Sequence, residues 1–235
     1  PGAMAHIFDM YSSISKEEFT RITGTAKELF EQKALAGGID LSFVTYWDKP
    51  IVNAHTLILG NSTSISIYGG LVQLTSLSSR GFAVALCHEL GHALGGSPYF
   101  GDFNNSVEGG ADYYSSNNCL KELMPKLELE RPTDLPNDVN KICSNTDNKK
   151  TCEDVLLGGL DLMNELSKNL SHKDLELSYF TPDSFVAPKT LKSYPSYQCR
   201  LDTILRGYFD LVRPSCWFNV SDPSNERDGS GILVI

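Results

Sequence analysis

The residues best suited to chemistry stand in the stretch A-L-C-H-E-L-G-H-A-L, which begins at Ala85. The stretch is apolar enough to be helical, and residues four apart lie on one face of a helix. His88 and His92 would therefore present two imidazoles to one point, which is half of a zinc site. Glu89 lies next to His88, where its carboxylate would reach a metal-bound water and serve as general base. The spacing predicts metal-assisted hydrolysis, whereas an ordinary amphipathic helix would leave these side chains on the surface.

A catalytic zinc ion usually takes three protein ligands and keeps one position for water. Downstream, the segment E-G-G-A-D offers Glu108 as the third ligand if it forms a second helix packed on the first. Asp112, one turn later, would face the same way and accept the free N–H of a liganding histidine, which fixes the tautomer and the ring orientation. The two motifs together predict one Zn2+ per chain, bound by His88, His92 and Glu108.

H-E-L-G-H followed by E-x-x-A-D resembles the gluzincin metallopeptidases, and in particular the branch with the CAAX prenyl endopeptidases and the HtpX-type proteases. Asn53-Ala54 and the segment from Ser66 to Leu71 resemble that branch's strand and glycine turn before the zinc helix. The resemblance covers residues 51–206, although 121–190 match none of its elements. It implies a zincin-like α+β fold, mostly helical, with a small, largely antiparallel sheet before the zinc helix.

The late segment Y-P-S-Y-Q-C-R resembles the branch's H-P-x-x-x-x-R element, with Tyr194 where the family usually has histidine. Peptide hydrolysis passes through an oxyanion that a preorganised donor stabilises. The resemblance implies that the Tyr194 hydroxyl is this donor. Arg200 would position the loop, or pair with Asp112 or with the substrate. A loop aromatic followed by an arginine in a surface salt bridge is the alternative.

The third predicted strand is the expected substrate-binding edge. In zincins the strand before the zinc helix commonly forms the edge of the cleft, and an extended peptide can add to it through main-chain hydrogen bonds. The residues concerned are Ser66, Ile67, Tyr68, Gly69 and Gly70. The glycines would let a substrate approach the backbone, but a hairpin strand that ends in a flexible turn accounts for them equally well.

The remaining elements follow from periodicity and from capping signals. A capping box at Ser15 predicts a first helix, and alternating apolar residues predict strands over 39–47, 54–59 and 64–68. Helices are predicted over 71–77, 107–123, 152–170 and 201–212, with a surface excursion over 125–148 and a long loop over 171–195. The apolar end of the chain, 232–235, is a candidate extra strand.

Composition limits the class of protein. With 235 residues, of which 41% are hydrophobic and 21% charged, we expect one globular domain over residues 5–235. Residues 1–4 look like a cloning remnant, so any export signal would have been removed. The net charge of -9 argues against nucleic acid as a partner. No apolar run approaches the length of a membrane span, so we expect a soluble, compact member of a mostly membrane-embedded branch.

The six cysteines favour an oxidising compartment. An even count permits 15 pairings, and we favour the local pairs Cys143–Cys152 and Cys199–Cys216. Cys87, inside the buried zinc helix, is the expected free thiol. Disulfides would indicate a periplasmic or secreted protein, and six reduced thiols a cytoplasmic one.

The sequence therefore favours a zinc-dependent endopeptidase that acts on a peptide or protein. One alternative is a zinc-stabilised scaffold that binds misfolded or partner proteins, with weak or absent hydrolysis. Another is a zinc amidase that acts on cell-wall peptides by the same chemistry in a different pocket.

Overall fold

A computed structural model of the protein describes residues 14–101, 104–168 and 176–225. The predicted remnant at 1–4, the expected domain start at residue 5 and the candidate strand at 232–235 lie outside these residues. The helices are α1 (Lys16–Ala36), α2 (Gly70–Gln73), α3 (Ser79–Leu94), α4 (Glu108–Tyr114), a π-helix (Ser115–Cys119), α5 (Leu120–Leu127), α6 (Asn137–Cys143), α7 (Lys149–Ser167), α8 (Tyr197–Tyr208) and a 3-10 turn (Pro223–Asn225). The strands are β1 (Asp40–Tyr46), β2 (Ala54–Leu59) and β3 (Ser62–Tyr68).

The predicted α+β class is confirmed, but the small sheet is mixed and not largely antiparallel. Its order is β1-β3-β2, with β2 antiparallel and β1 parallel to β3. A tight turn at Gly60, whose φ is 62°, joins β2 to β3 and forces their antiparallel pairing. The chain leaves β1 through a loop and returns on the far side of β3, so β1 and β3 run the same way.

Helix α3 lies in the core between the sheet and the other helices. Ser78 caps it by accepting a hydrogen bond from the Gly81 N–H at 3.3 Å. The side chains of Phe82, Leu86 and Leu90 are fully buried along one stripe. This apolar stripe fixes the rotation of α3, and therefore the direction in which its polar residues point.

Helices α3 and α4 approach each other closely at a glycine. A Cβ atom placed on Gly91 would lie 2.4 Å from the main-chain oxygen of Ala111, too close for any larger residue without a shift of the backbone. Gly91 lies between the two motif histidines. The glycine in H-E-L-G-H therefore lets α4 pack against the zinc helix.

The structure contains three disulfide bonds: Cys87–Cys119, Cys143–Cys152 and Cys199–Cys216. The two local pairs are confirmed, but the prediction that Cys87 is free was wrong. Cys87 lies on the side of α3 that packs against the π-helix, where the Cα atom of Cys119 is 5.6 Å away. This pairing depends on helix packing, so local spacing gave no sign of it.

Several predicted boundaries differ from those observed. The helix predicted over 107–123 continues through the π-helix to Leu127, and α6 lies within the predicted surface excursion. Ser196 caps α8 by accepting from the Cys199 N–H, so this helix begins at Tyr197 and has Arg200 in its first turn. Residues 176–195 contain no helix or strand, as expected for the described part of the long loop.

None of the described helices is long and apolar enough to cross a bilayer.

Candidate metal centre

The two motif histidines point from α3 to a common point, as their spacing predicted. Ligand atoms of His88, Glu89 and His92 all lie within 4.8 Å of one another, in an arrangement that could hold a metal ion. The three side chains are buried or nearly so. A partly dry site of this kind strengthens electrostatic interactions with a cation.

Helix α4 brings Glu108 to the same point. The Nε2 atom of His88 lies 3.2 Å from Oε2 of Glu108, and the Nε2 atom of His92 lies 3.7 Å from Oε1. Two imidazole nitrogens and this carboxylate therefore face one another closely enough to share one cation.

Two carboxylates thus face the same pair of imidazoles, and their surroundings distinguish them. Oε2 of Glu89 accepts a hydrogen bond from the Thr56 hydroxyl at 2.8 Å. The same hydroxyl oxygen lies 2.8 Å from the main-chain oxygen of Glu89. Glu89 is therefore held by strand β2, whereas both oxygens of Glu108 face the imidazoles. This difference favours Glu108 as the ligand and Glu89 as the base. No sequence motif pointed to Thr56.

Asp112 lies behind His88, on the side away from Glu108. Its Oδ1 accepts from Nδ1 of His88 at 2.7 Å, and Arg200 donates to both of its oxygens at 2.7 and 2.9 Å. All three side chains are buried. Because an ionised carboxylate only accepts hydrogen bonds, the contact places the imidazole proton on Nδ1 and leaves Nε2 free for a metal.

Of the three positions expected for Arg200, the structure shows the pairing with Asp112. The guanidinium donates to both Asp112 oxygens and lies 3.4 Å from Nδ1 of His88, so it orients the Asp112–His88 pair. We therefore describe Arg200 as a positioning residue. This pairing is one of the roles that the sequence suggested for Arg200, which was grouped with the catalytic residues Glu89 and Tyr194 because its segment resembles the family's element.

The loop between α3 and α4 orients the other histidine. Nδ1 of His92 donates to the main-chain oxygen of Ser106 at 2.8 Å. Like the Asp112 contact, this bond leaves Nε2 as the free nitrogen. The sequence gave no sign of it because a main-chain acceptor depends on the path of the loop.

Charges within the cluster shift its titration in the metal-free protein. Burial alone would lower the pKa of His88, but Asp112 and Glu108 outweigh it and raise the pKa to about 9. Burial and the charge of His88 lower the pKa of His92. Burial opposes ionisation of Glu108, yet the contacts with His88 prevail and lower its pKa. The metal-free site therefore holds an ionised Glu108 beside a protonated His88.

Tyr194 reaches the site from the loop before α8. Its side chain is 71% exposed, but its hydroxyl end interacts with Glu108, and burial at that end together with the Glu108 charge raises its pKa. The guanidinium of Arg200 lies 5.7 Å from the centre of its ring. The phenol is therefore protonated at neutral pH and able to donate a hydrogen bond.

The predicted substrate strand was wrong. Strand β3 is central, and its main-chain groups are already paired with β1 and β2. The N–H groups of Gly69 and Gly70 donate to Tyr46 and Lys49. Both glycines allow the loop after β1 to pack closely against them. A Cβ atom on Gly69 would lie 1.9 Å from the Trp47 oxygen, and one on Gly70 would lie 2.4 Å from the Ile51 nitrogen. Ser66, Ile67, Tyr68, Gly69 and Gly70 therefore offer no free edge to a peptide.

Strand β2 is the edge strand on the side of the site. The main-chain oxygen of Asn53 accepts a hydrogen bond from the Tyr68 N–H of β3. Along an antiparallel strand, residues that are hydrogen-bonded to the neighbouring strand alternate with residues that are not. The main-chain groups of Ala54, Thr56 and Ile58 consequently point away from β3. The free edge thus passes Thr56, whose side chain holds Glu89.

The structure therefore brings together His88, Glu89, His92, Glu108, Asp112, Tyr194 and Arg200 from three helices and a loop. Comparison with protein-family models, curated proteins and solved structures gave no match to the chain.

Proposed function

We propose that the protein is a zinc-dependent endopeptidase of the gluzincin type. The observation that carries the proposal is the convergence of the His88 and His92 Nε2 atoms on the Glu108 carboxylate, at 3.2 and 3.7 Å. Two imidazole nitrogens and one carboxylate are a donor set typical of catalytic zinc. The sequence motifs and the resemblance to gluzincins support the same assignment.

Zinc bound by these three residues would supply a Lewis acid and lower the pKa of a bound water. Glu89, oriented by Thr56, would remove a proton from the attacking water and afterwards donate it to the leaving amine. The Tyr194 hydroxyl would donate a hydrogen bond to the oxyanion that forms at the scissile carbonyl. Asp112, held by Arg200, would keep the His88 ring in place.

The substrate would lie along β2. Thr56 contributes main-chain groups to the free edge and holds the general base with its side chain. An extended peptide that adds to this edge would pass directly beside Glu89. The proposed substrate-binding strand is thus β2, the neighbour of the strand β3 that the sequence suggested.

We also propose that the protein works outside the reducing cytoplasm. All six cysteines form disulfides, and the described helices include none that could span a membrane. Disulfides persist in secreted and periplasmic proteins, whereas cytoplasmic thiols are kept reduced.

Metal analysis and a cleavage assay test the proposal together. We expect about one zinc per chain by elemental analysis, as one three-ligand site implies, and cleavage of unfolded casein by the loaded protein. Glu89→Gln should keep the zinc and lose cleavage, whereas Glu108→Gln should lose most of the zinc. Full activity in Glu89→Gln would refute the mechanism. Zinc binding with casein capture but no cleavage would favour the scaffold, and hydrolysis of cell-wall peptides alone would favour the amidase.

A further inference from the structure

We propose that the protein recognises extended peptides with apolar side chains at alternate positions, and that Leu57 and Leu59 select them. The inference rests on the proposed function, because it concerns the peptide that would lie along β2 beside Glu89. It adds the chemistry of the substrate, which neither the metal site nor the motifs address.

The two faces of β2 differ. Thr56 and Ile58 point inward and are partly buried. The alternate residues Leu57 and Leu59 point to the outer face, where they are 48% and 68% exposed. An isolated exposed leucine is common, but these two lie two positions apart on the same face of one edge strand.

The edge of β2 lacks the features that usually protect a free strand. Natural edge strands are commonly blocked by lysine, proline or a bulge, and A-H-T-L-I-L contains no lysine, proline or acidic residue. It also pairs with β3 in unbroken register from Ala54 to Leu59. Among the described residues, no strand pairs with the edge of β2 that faces away from β3. The strand is therefore suited to pairing with another extended chain.

The position of the edge indicates what that chain is. Thr56 lies in the middle of β2 and contacts Glu89 at 2.8 Å. A chain paired with β2 would therefore cross the catalytic centre, where a permanent partner would block it. A substrate that binds and leaves is compatible with this position.

Pairing determines which substrate side chains meet the leucines. Residues directly opposite each other on neighbouring strands share a face, with their Cβ atoms close together. The substrate residues opposite Leu57 and Leu59 would thus be two apart and project over the outer face. The next residues on that face, Ser62 and Ser64 of β3, are small and polar. The apolar contact therefore comes from β2, and a charged substrate residue opposite Leu57 or Leu59 would lose water against an apolar side chain.

Three dye-labelled peptides would test this inference by fluorescence anisotropy on zinc-loaded Glu89→Gln. In the first, leucine and serine alternate. The second has the same composition with the leucines grouped together, so it controls for nonspecific hydrophobic binding. The third carries glutamate in place of every leucine. We expect the alternating peptide to bind about fivefold more tightly than the grouped one, as two cross-strand apolar pairs imply.

Substitutions to lysine test whether Leu57 and Leu59 cause the preference for the alternating peptide. Leu57→Lys with Leu59→Lys should remove the preference for the alternating peptide and improve binding of the glutamate peptide. Leu35→Lys with Leu211→Lys is the matched control, since these leucines are 56% and 49% exposed and lie outside the sheet. The control pair should keep the preference. Equal binding of the alternating and grouped peptides, or an equal loss in both double variants, would overturn the inference.

Sedimentation of the unsubstituted chain tests whether a second copy of the chain, and not a substrate, pairs with β2. A dimer that dissociates in Leu57→Lys with Leu59→Lys, with peptide binding unchanged, would mean that β2 pairs with a second copy, and would overturn the inference. Cleavage of casein by the wild-type chain without any alternate preference would overturn it too, while leaving the endopeptidase proposal intact. A clear preference in a chain that cleaves nothing would support the recognition surface and refute the endopeptidase.

Discussion

The Nδ1 atom of His88 lies 2.7 Å from Oδ1 of Asp112, and both side chains are buried. Burial alone would raise the pKa of Asp112, but the charges of Arg200 and His88 hold it well below its usual range. The carboxylate therefore stays ionised and accepts a hydrogen bond from the Nδ1–H of the imidazole. Through this contact, α4 and α8 together determine the orientation of a histidine on α3.

Asp112→Asn should weaken zinc binding while the fold persists. Loss of such a contact behind a metal ligand typically lowers affinity about 10- to 100-fold. Competition with a chromophoric chelator would measure the change. Asp138→Asn is the control, because Asp138 is also buried but accepts hydrogen bonds from Ser178 and Tyr179, which take no part in the metal centre. Equal zinc affinities in the two variants would contradict the role given to Asp112.

The raised pKa of His88 makes the metal-free protein sensitive to pH. In the folded chain this pKa is about 9, above its ordinary 6.5, because Asp112 and Glu108 outweigh the effect of burial. A group whose pKa is raised on folding stabilises the fold fully below its unfolded pKa, and this stabilisation is lost as pH rises through the folded pKa. Urea denaturation with a chelator present should therefore show falling stability between pH 6.5 and pH 9. A flat profile would count against the protonated His88.

Zinc binding should displace the same proton. Because the metal needs a neutral imidazole, binding near neutral pH should release about one proton from His88. Calorimetric titration in two buffers with different ionisation enthalpies counts the protons released. His92 supplies the contrast, since its pKa is lowered and its Nε2 carries no proton that the metal would displace. Release of no proton would show that His88 is already neutral.

Thr56→Val should lower kcat about tenfold and leave KM nearly unchanged, since a hydrogen bond to a charged group contributes roughly 1.5–3 kcal/mol. Valine keeps the shape of the side chain but cannot donate to Glu89, whereas the main-chain edge of β2 is preserved. Thr56→Ser retains the hydroxyl and should restore most of kcat. Zinc content should be the same in all three proteins. If serine rescues nothing, the hydroxyl is not the relevant group.

Tyr194→Phe should retain zinc and lower kcat by about 100-fold, the usual effect of removing one oxyanion donor. The side chain is 71% exposed, so stability should change little. Phe100→Leu, at another exposed aromatic residue, provides the comparison for a simple surface change. Unchanged kcat in Tyr194→Phe would mean that the phenol is not the donor.

The disulfide between α3 and the π-helix should support the metal site more than the remote one does. Cys87 immediately precedes His88, and its bond closes 32 residues of chain, against 9 for Cys143–Cys152. Replacing both members of the first pair by alanine should cost about 3 kcal/mol of stability and weaken zinc binding. The second pair, replaced in the same way, should leave zinc affinity unchanged. Equal zinc affinities would assign the first bond to stability alone.

The sequence by itself predicted the histidine pair, its neighbouring base and the carboxylate partners. These follow from helical periodicity, because residues four apart share a face whatever the rest of the chain does. The Ser15 cap and two disulfides between nearby cysteines were also predicted correctly. Glu108 and Asp112 are the exception: they lie on another helix, and the E-x-x-A-D motif pointed to them rather than helical periodicity.

Only the tertiary structure decided the contacts between distant segments. The placement of β1 beside β3 made β2 the free edge, and that pairing is invisible in the alternation of any single strand. Thr56 met Glu89, and Cys87 met Cys119, only because the sheet and the π-helix pack on opposite sides of α3. Local pattern fixes which face of an element is polar, whereas long-range packing decides what that face meets.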